Sequence, residues 1–134
     1  MSDQGDEIRI VTDQDVVRVR QLVRTVSVAV KLSLVDQTKL VTAASELARN
    51  TLVYGGGGMA TVSLVDNGRR KGIRIVFADQ GPGIADLDLA LTDGYTSGGG
   101  LGLGLSGARR LVDEFDIVTA PGEGTSITVT KWCR

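Results

Sequence analysis

No histidine occurs anywhere in this chain. That removes His-based catalytic triads, His-containing zinc sites and phosphohistidine chemistry on the chain itself. A general base is left to a carboxylate, or failing that to a lysine or tyrosine. Cysteine is almost absent as well. Cys133 stands alone, an internal disulfide is excluded, and a reducing cytoplasm is the expected compartment. Aromatic residues make up only 4% of the chain, so a core must rest on Val, Leu, Ile and Ala. No apolar run is long enough to span a membrane, and the polar residues 1–7 do not read as a signal peptide. A net charge of -1 argues against non-specific nucleic-acid binding.

Glycine, by contrast, is abundant and clustered. The 18 glycines gather at 55–58, at 81 and 83, along 98–104, and at 122 and 124. The length of 134 residues and an apolar fraction of 42% suit one domain, residues 1–134, with one modest core.

Periodicity places these clusters on elements. Residues 7–11 read as a short strand. Thr12 then reads as an N-cap, with Asp15 completing a capping box. Val16, Val19, Val23, Val26 and Val30 follow at helical spacing, flanked by Arg18, Arg20 and Arg24. A second helix is expected from near Asp36 to about Val53, stopping at the glycine run 55–58. The period then changes to two. Val62 and Leu64 alternate with polar neighbours, Asp66–Asn67–Gly68 supplies a turn, and Ile73, Ile75 and Phe77 line one face of the return strand. The acidic, glycine-rich residues 85–100 read as a mobile loop or a short helix. A helix over 105–114 follows, then a hairpin of 117–120 and 125–132. Helices in blocks between antiparallel hairpins indicate an α+β layer sandwich rather than a doubly wound sheet.

Four patterns carry chemistry. Glu46 and Asn50, four residues apart on the second helix, sit about 40° apart on one face, at the edge of the apolar arc of Leu40, Ala43, Ala44, Leu47 and Ala48. Asn offers a hard oxygen suited to magnesium and Glu can accept a proton, although an i,i+4 surface pair looks the same. Asp79 ends an apolar strand just before Gly81 and Gly83, where a turn explains the glycines but does not require the carboxylate. Gly98, Gly99, Gly100, Gly102 and Gly104, interleaved with Leu101 and Leu103, precede a helix. So many glycines there cost conformational entropy unless the backbone approaches a ligand closely. Gly122–Glu123–Gly124–Thr125 reads by default as a hairpin turn. Gly102, Gly104 and Gly107 also match the dinucleotide fingerprint, but no strand precedes them and the βαβ pattern is missing. A Walker A loop fails because no Gly-Lys dipeptide exists, and a His-Arg-Asp catalytic loop is absent.

Taken in order over residues 41–129, the four patterns resemble the nucleotide-binding boxes of the GHKL (Bergerat-fold) ATPases. These include gyrase-type ATPase domains, heat-shock chaperones, mismatch-repair proteins and histidine kinases. The resemblance implies a two-layer α/β sandwich, with a mixed, mainly antiparallel sheet covered on one face by helices. It implies ATP and Mg2+ as cofactors. Asn50 would ligate magnesium and Glu46 would be the catalytic base. Asp79 would recognise the adenine amino group beside the close turn at Gly81 and Gly83. The run Gly100–Leu101–Gly102–Leu103–Gly104 would present backbone amides to the phosphates, and Thr125 would help hold the base. Residues 93–99 fall where the family has its ATP lid. With no transducer-domain lysine in the chain, the resemblance would leave Arg109 or Arg110 as the substitute at the γ-phosphate.

The stretch Thr42–Ala43–Ala44–Ser45–Glu46–Leu47–Ala48–Arg49–Asn50, with Tyr54 and the four glycines after it, is similar to the small serine/threonine switch kinases of the bacterial stressosome. That likeness implies phosphoryl transfer from ATP to a STAS-domain partner protein. On release, the kinase would activate a PP2C-type phosphatase regulator. Two other readings stand beside it: an anti-sigma-factor kinase that sequesters a sigma factor, and an ATP-gated protein-binding switch with little catalysis. Arg18, Arg20 and Arg24 read either as a docking face for an acidic partner or as a solvated helix face. The oligomeric state, a homodimer included, is not set by these patterns.

Overall fold

The structure is a computed structural model that describes residues 5–84 and 105–134. Its elements run β1 (Asp6–Ile10), α1 (Asp13–Ala29), α2 (Leu34–Val53), β2 (Gly58–Asp66), β3 (Lys71–Asp79), α3 (Leu105–Leu111), β4 (Glu114–Thr119) and β5 (Thr125–Trp132). The strands form one sheet in the order β1-β2-β3-β5-β4, and all four described pairings are antiparallel. The result is the expected α+β sandwich, a sheet with helices layered on one face.

The capping box at Thr12 is present. Its hydroxyl accepts from the Asp15 amide at 3.3 Å, and Asp15 Oδ2 accepts from the Thr12 amide at 3.0 Å. The valine stripe of α1 then buries Val16, Val19, Val23 and Val26. The second helix starts two residues earlier than expected, at Leu34. Ser33 is its N-cap, with the hydroxyl accepting from the Asp36 amide at 3.1 Å. Leu40, Ala43, Ala44, Leu47 and Ala48 are fully buried, as their wheel positions require.

In the sheet, Ala60, Val62, Ile73, Ile75, Phe77, Ile127 and Val129 alternate along their strands and share a single core with the helix stripes. The β2–β3 hairpin turns where the sequence places it: Asp66 Oδ1 accepts from the Gly68 amide at 2.7 Å, and Gly68 has φ +90°.

The third helix is shorter than expected, ending at Leu111 instead of running to 114. Tertiary bonds claim the next residues for the sheet. The Asp113 amide donates to the Thr130 carbonyl at 3.0 Å, and the Trp132 indole donates to Glu114 at 2.6 Å. As a consequence β4 begins at Glu114, three residues before the expected position, and the fold brings the ends of β3, β5 and α2 together.

Candidate functional site

The ends of those three elements enclose a cavity lined by Asn50, Thr51, Tyr54, Phe77, Asp79, Ile84, Leu105, Thr125 and Ile127. Three of the residues singled out in the sequence therefore meet there, from separate elements: Asn50 from α2, Asp79 from β3 and Thr125 from β5.

Asp79 is the last residue of β3, paired with Gly58 on one side and Thr125 on the other. Its carboxylate is half-buried, and Oδ1 accepts from the Gly81 amide at 2.8 Å, which closes the turn after the strand. Thr125 opens β5 and is 7% exposed. Being in register on neighbouring strands, Asp79 and Thr125 present side chains to the same face. Asn50 is half-buried in the last turn of α2, where its carbonyl accepts from the amides of Tyr54 and Gly55 at 2.9 and 3.0 Å.

The turn after β3 is pinned against the rest of the site. The Gly122 amide donates to the Pro82 carbonyl at 2.7 Å, and the Tyr54 hydroxyl donates to the Gly83 carbonyl at 3.2 Å. The Ile84 amide donates to Thr119 Oγ1 at 2.9 Å. Gly81 and Gly83 thus lie within a tied turn beside the cavity, rather than in its lining.

Glu46 lies elsewhere. It is exposed, one turn before Asn50 on α2, and lines a groove between α1 and α2 with Arg20, Arg24, Thr38, Val41, Thr42 and Ser45. Arg109 and Arg110 are exposed on α3 and do not line the cavity. Gly100, Leu101, Gly102, Leu103 and Gly104 lie outside the described residues, as do residues 93–99. Leu105, immediately after that run, is 1% exposed and does line the cavity.

The sequence gives Tyr54 and Gly55 no place beside the cavity, and it does not single out Thr119 at all. Tyr54 was detectable, since it stands one turn after Asn50 on the same helix face. Gly55 reads in the sequence as a helix stop and as part of a glycine run, neither of which places it against Asp79. Thr119 carries no local signal, because its role depends on strand pairing.

Among the described residues, no group of three or more acidic, Cys or His side chains could hold a metal ion by itself. The donor set at the cavity suits magnesium, which takes one or two protein oxygens and completes its shell from phosphates and water.

Residues 35–133 match the family model for histidine kinase-, DNA gyrase B-, and HSP90-like ATPases. The chain is 45% identical to the serine/threonine-protein kinase RsbT of Bacillus subtilis (strain 168) over 134 residues, the full length of both. It is 28% identical to the anti-sigma F factor of Thermoanaerobacter sp. (strain X514), over 68% of this chain and 66% of that protein. Among solved structures, it resembles the RsbU and RsbW domains of a Mycobacterium tuberculosis protein with a TM-score of 0.61 and 22% identity, covering 96% of this chain and 33% of that one. The catalytic domain of the histidine kinase ThkA gives a TM-score of 0.54 at 14% identity, with 95% of each chain covered. At such identities the two structures speak for the fold alone.

Proposed function

Because this chain belongs to the family of histidine kinase-, DNA gyrase B- and HSP90-like ATPases, we propose that it is a serine/threonine protein kinase that transfers the γ-phosphoryl group of ATP to a partner protein. The observation that carries this reading is the meeting of Asn50, Asp79 and Thr125 on one cavity between α2 and the sheet. The choice of a protein hydroxyl as acceptor is supported by the full-length likeness to RsbT. We extend the reading to a STAS-domain acceptor in a stress-signalling partner switch, followed by activation of a PP2C-type phosphatase.

In this mechanism Asp79 and Thr125 hold the base, and Asn50 offers its amide oxygen to magnesium. Bound magnesium supplies charge neutralisation at the phosphates. Glu46 orients the incoming hydroxyl and accepts its proton. Its exposed position in the α1–α2 groove suits a base that must meet a hydroxyl brought from outside. Phosphoryl transfer asks mainly for positioning and charge stabilisation, which a scaffold of this size can supply.

The experiment is transfer of labelled γ-phosphate to a purified STAS-domain protein in the presence of magnesium. Label on a serine or threonine is the expected result. Glu46→Ala should slow transfer by about 10²-fold or more while leaving ATP affinity unchanged. Asn50→Ala should weaken magnesium-dependent ATP binding. ATP binding without transfer to any hydroxyl would instead leave a nucleotide-gated binding module. The likeness to an anti-sigma F factor favours one further reading, a kinase that sequesters a sigma factor. Recovery of a sigma factor in place of a STAS protein from cell extract would select it.

A further inference from the structure

Thr119, the last residue of β4, does not line the cavity, but its hydroxyl contacts that of Thr125, which does. Three groups surround Thr119 Oγ1: the Ile84 amide at 2.9 Å, the Gly124 carbonyl at 3.1 Å and Thr125 Oγ1 at 2.9 Å. A hydroxyl has one proton to give and two lone pairs with which to accept. The amide can only donate and the carbonyl can only accept. A single assignment makes all three contacts hydrogen bonds: Thr119 donates to Gly124, and accepts both from Ile84 and from the Thr125 hydroxyl.

Thr125 has then spent its proton. Any hydrogen bond its oxygen makes with a ligand in the cavity must then be as acceptor. Its neighbour on the next strand, Asp79, is likewise acceptor-only when ionised. A ligand group between them must therefore donate. An amino group does so. An oxo group in the same place would set its lone pairs against theirs, and the one donor on that edge of a 6-oxopurine, N1–H, lies a ring position away.

We propose that Thr119 is a positioning residue for base specificity: by fixing Thr125 as an acceptor, it makes the cavity select a 6-aminopurine over a 6-oxopurine. The proposal rests on the nucleotide-binding reading above and adds a residue that acts through another.

The test is calorimetric titration of the whole chain with ATP and with inosine triphosphate, each with magnesium. The unaltered chain should prefer ATP by at least about tenfold. Thr119→Val keeps the side-chain shape but removes the hydroxyl, which frees Thr125 to turn its proton toward the ligand. Its preference for ATP should fall by about tenfold, as ATP weakens and inosine triphosphate does not. Thr119→Ser should restore the preference. A merely structural role would weaken both ligands alike, and an unchanged ratio in Thr119→Val overturns the proposal while leaving ATP binding intact. A chain that binds ATP and inosine triphosphate equally also overturns it. A chain that binds neither overturns the nucleotide reading itself. If Thr119→Val does not fold, Thr119→Ala makes the same comparison, since it too removes the hydroxyl and leaves that of Thr125, and retention of full ATP preference there is equally fatal.

Discussion

A methyl group added at Gly55 has nowhere to go. Its Cβ would lie 2.6 Å from both the Cβ and Oδ2 of Asp79, while Gly81 sits so close that its own Cβ would be 2.7 Å from the Gly55 Cα. The end of α2 therefore packs backbone against the carboxylate that the proposed mechanism uses for the base. Gly55→Ala should displace Asp79 and weaken ATP binding by about tenfold or more. Gly56→Ala is the control: nothing lies within 4 Å of the new Cβ, but φ is +74°. It should cost about 1 kcal/mol of stability and leave ATP affinity alone. ATP titrations paired with thermal melts separate the two outcomes. Asn50, Asp79 and Thr125 were legible in the sequence because each belongs to a motif with its own spacing. The partners that position them were not. Gly55 touches Asp79 across 24 residues of chain, and the Thr119 hydroxyl meets the Ile84 amide across a separation of 35. Such contacts exist only after the sheet has formed.

Helix ends show local chemistry at its most readable, and its limits. The α1 capping box follows from Thr12 and Asp15 alone. Asp15 also accepts from the Val11 amide at 2.9 Å, and that bond, with those from Thr12, outweighs burial and holds its carboxyl below the ordinary carboxylate range. Its stabilising contribution is complete above the unfolded value of about 3.9 and is lost as pH falls through the lowered folded value. Asp15→Asn should thus be less stable than the unaltered chain at neutral pH, with the gap closing below about pH 4. Urea midpoints measured across that range check the sign. The other end of α1 hides its strain. Lys31 has φ +65°, its amide donates to the Val28 carbonyl and the Leu32 amide to the Ser27 carbonyl, each at 3.0 Å, a Schellman closure built without glycine. Lys31→Gly should stabilise the chain by about 1 kcal/mol, raising Tm by about 4 °C. At α3 and β4 the boundary moved because Asp113 and Glu114 bond to β5, a tertiary demand that overrides the helical pattern read over 105–114. The alternation of Phe115, Ile117 and Thr119 carries the strand signal, while Glu114, the first residue of β4, also falls within the helical pattern.

Across the whole molecule, the ion cluster and the candidate cavity sit at opposite ends of β5. Thr125 opens the strand at the cavity. Lys131, six residues on and about 20 Å away along it, closes an ion cluster under the helices. Its side chain is 4% exposed and lies 3.5 Å from Asp36 at the start of α2 and 3.7 Å from Asp113 before β4. Arg134, far more exposed, reaches Asp113 at 2.8 Å. The cluster ties the first turn of α2 to the sheet edge, so its parts are interdependent. Removing the buried cation alone, as in Lys131→Met, leaves the two largely buried carboxylates paired with the exposed Arg134 and should cost about 3 kcal/mol. Replacing charge on both sides, Lys131→Met with Asp36→Leu, should recover a good part of that loss, since burying the pair is itself costly. Urea midpoints should show this order, and salt should change it little because the lysine is shielded from solvent. The distance along β5 adds the sharper expectation. Below its melting range, Lys131→Met should bind ATP with unaltered affinity, because neither Asp79 nor Thr125 depends on the far end of the strand for its partners. A parallel loss of affinity would mean that the sheet transmits strain along β5, and that the cavity is held by the whole strand rather than by the local bonds around Thr119.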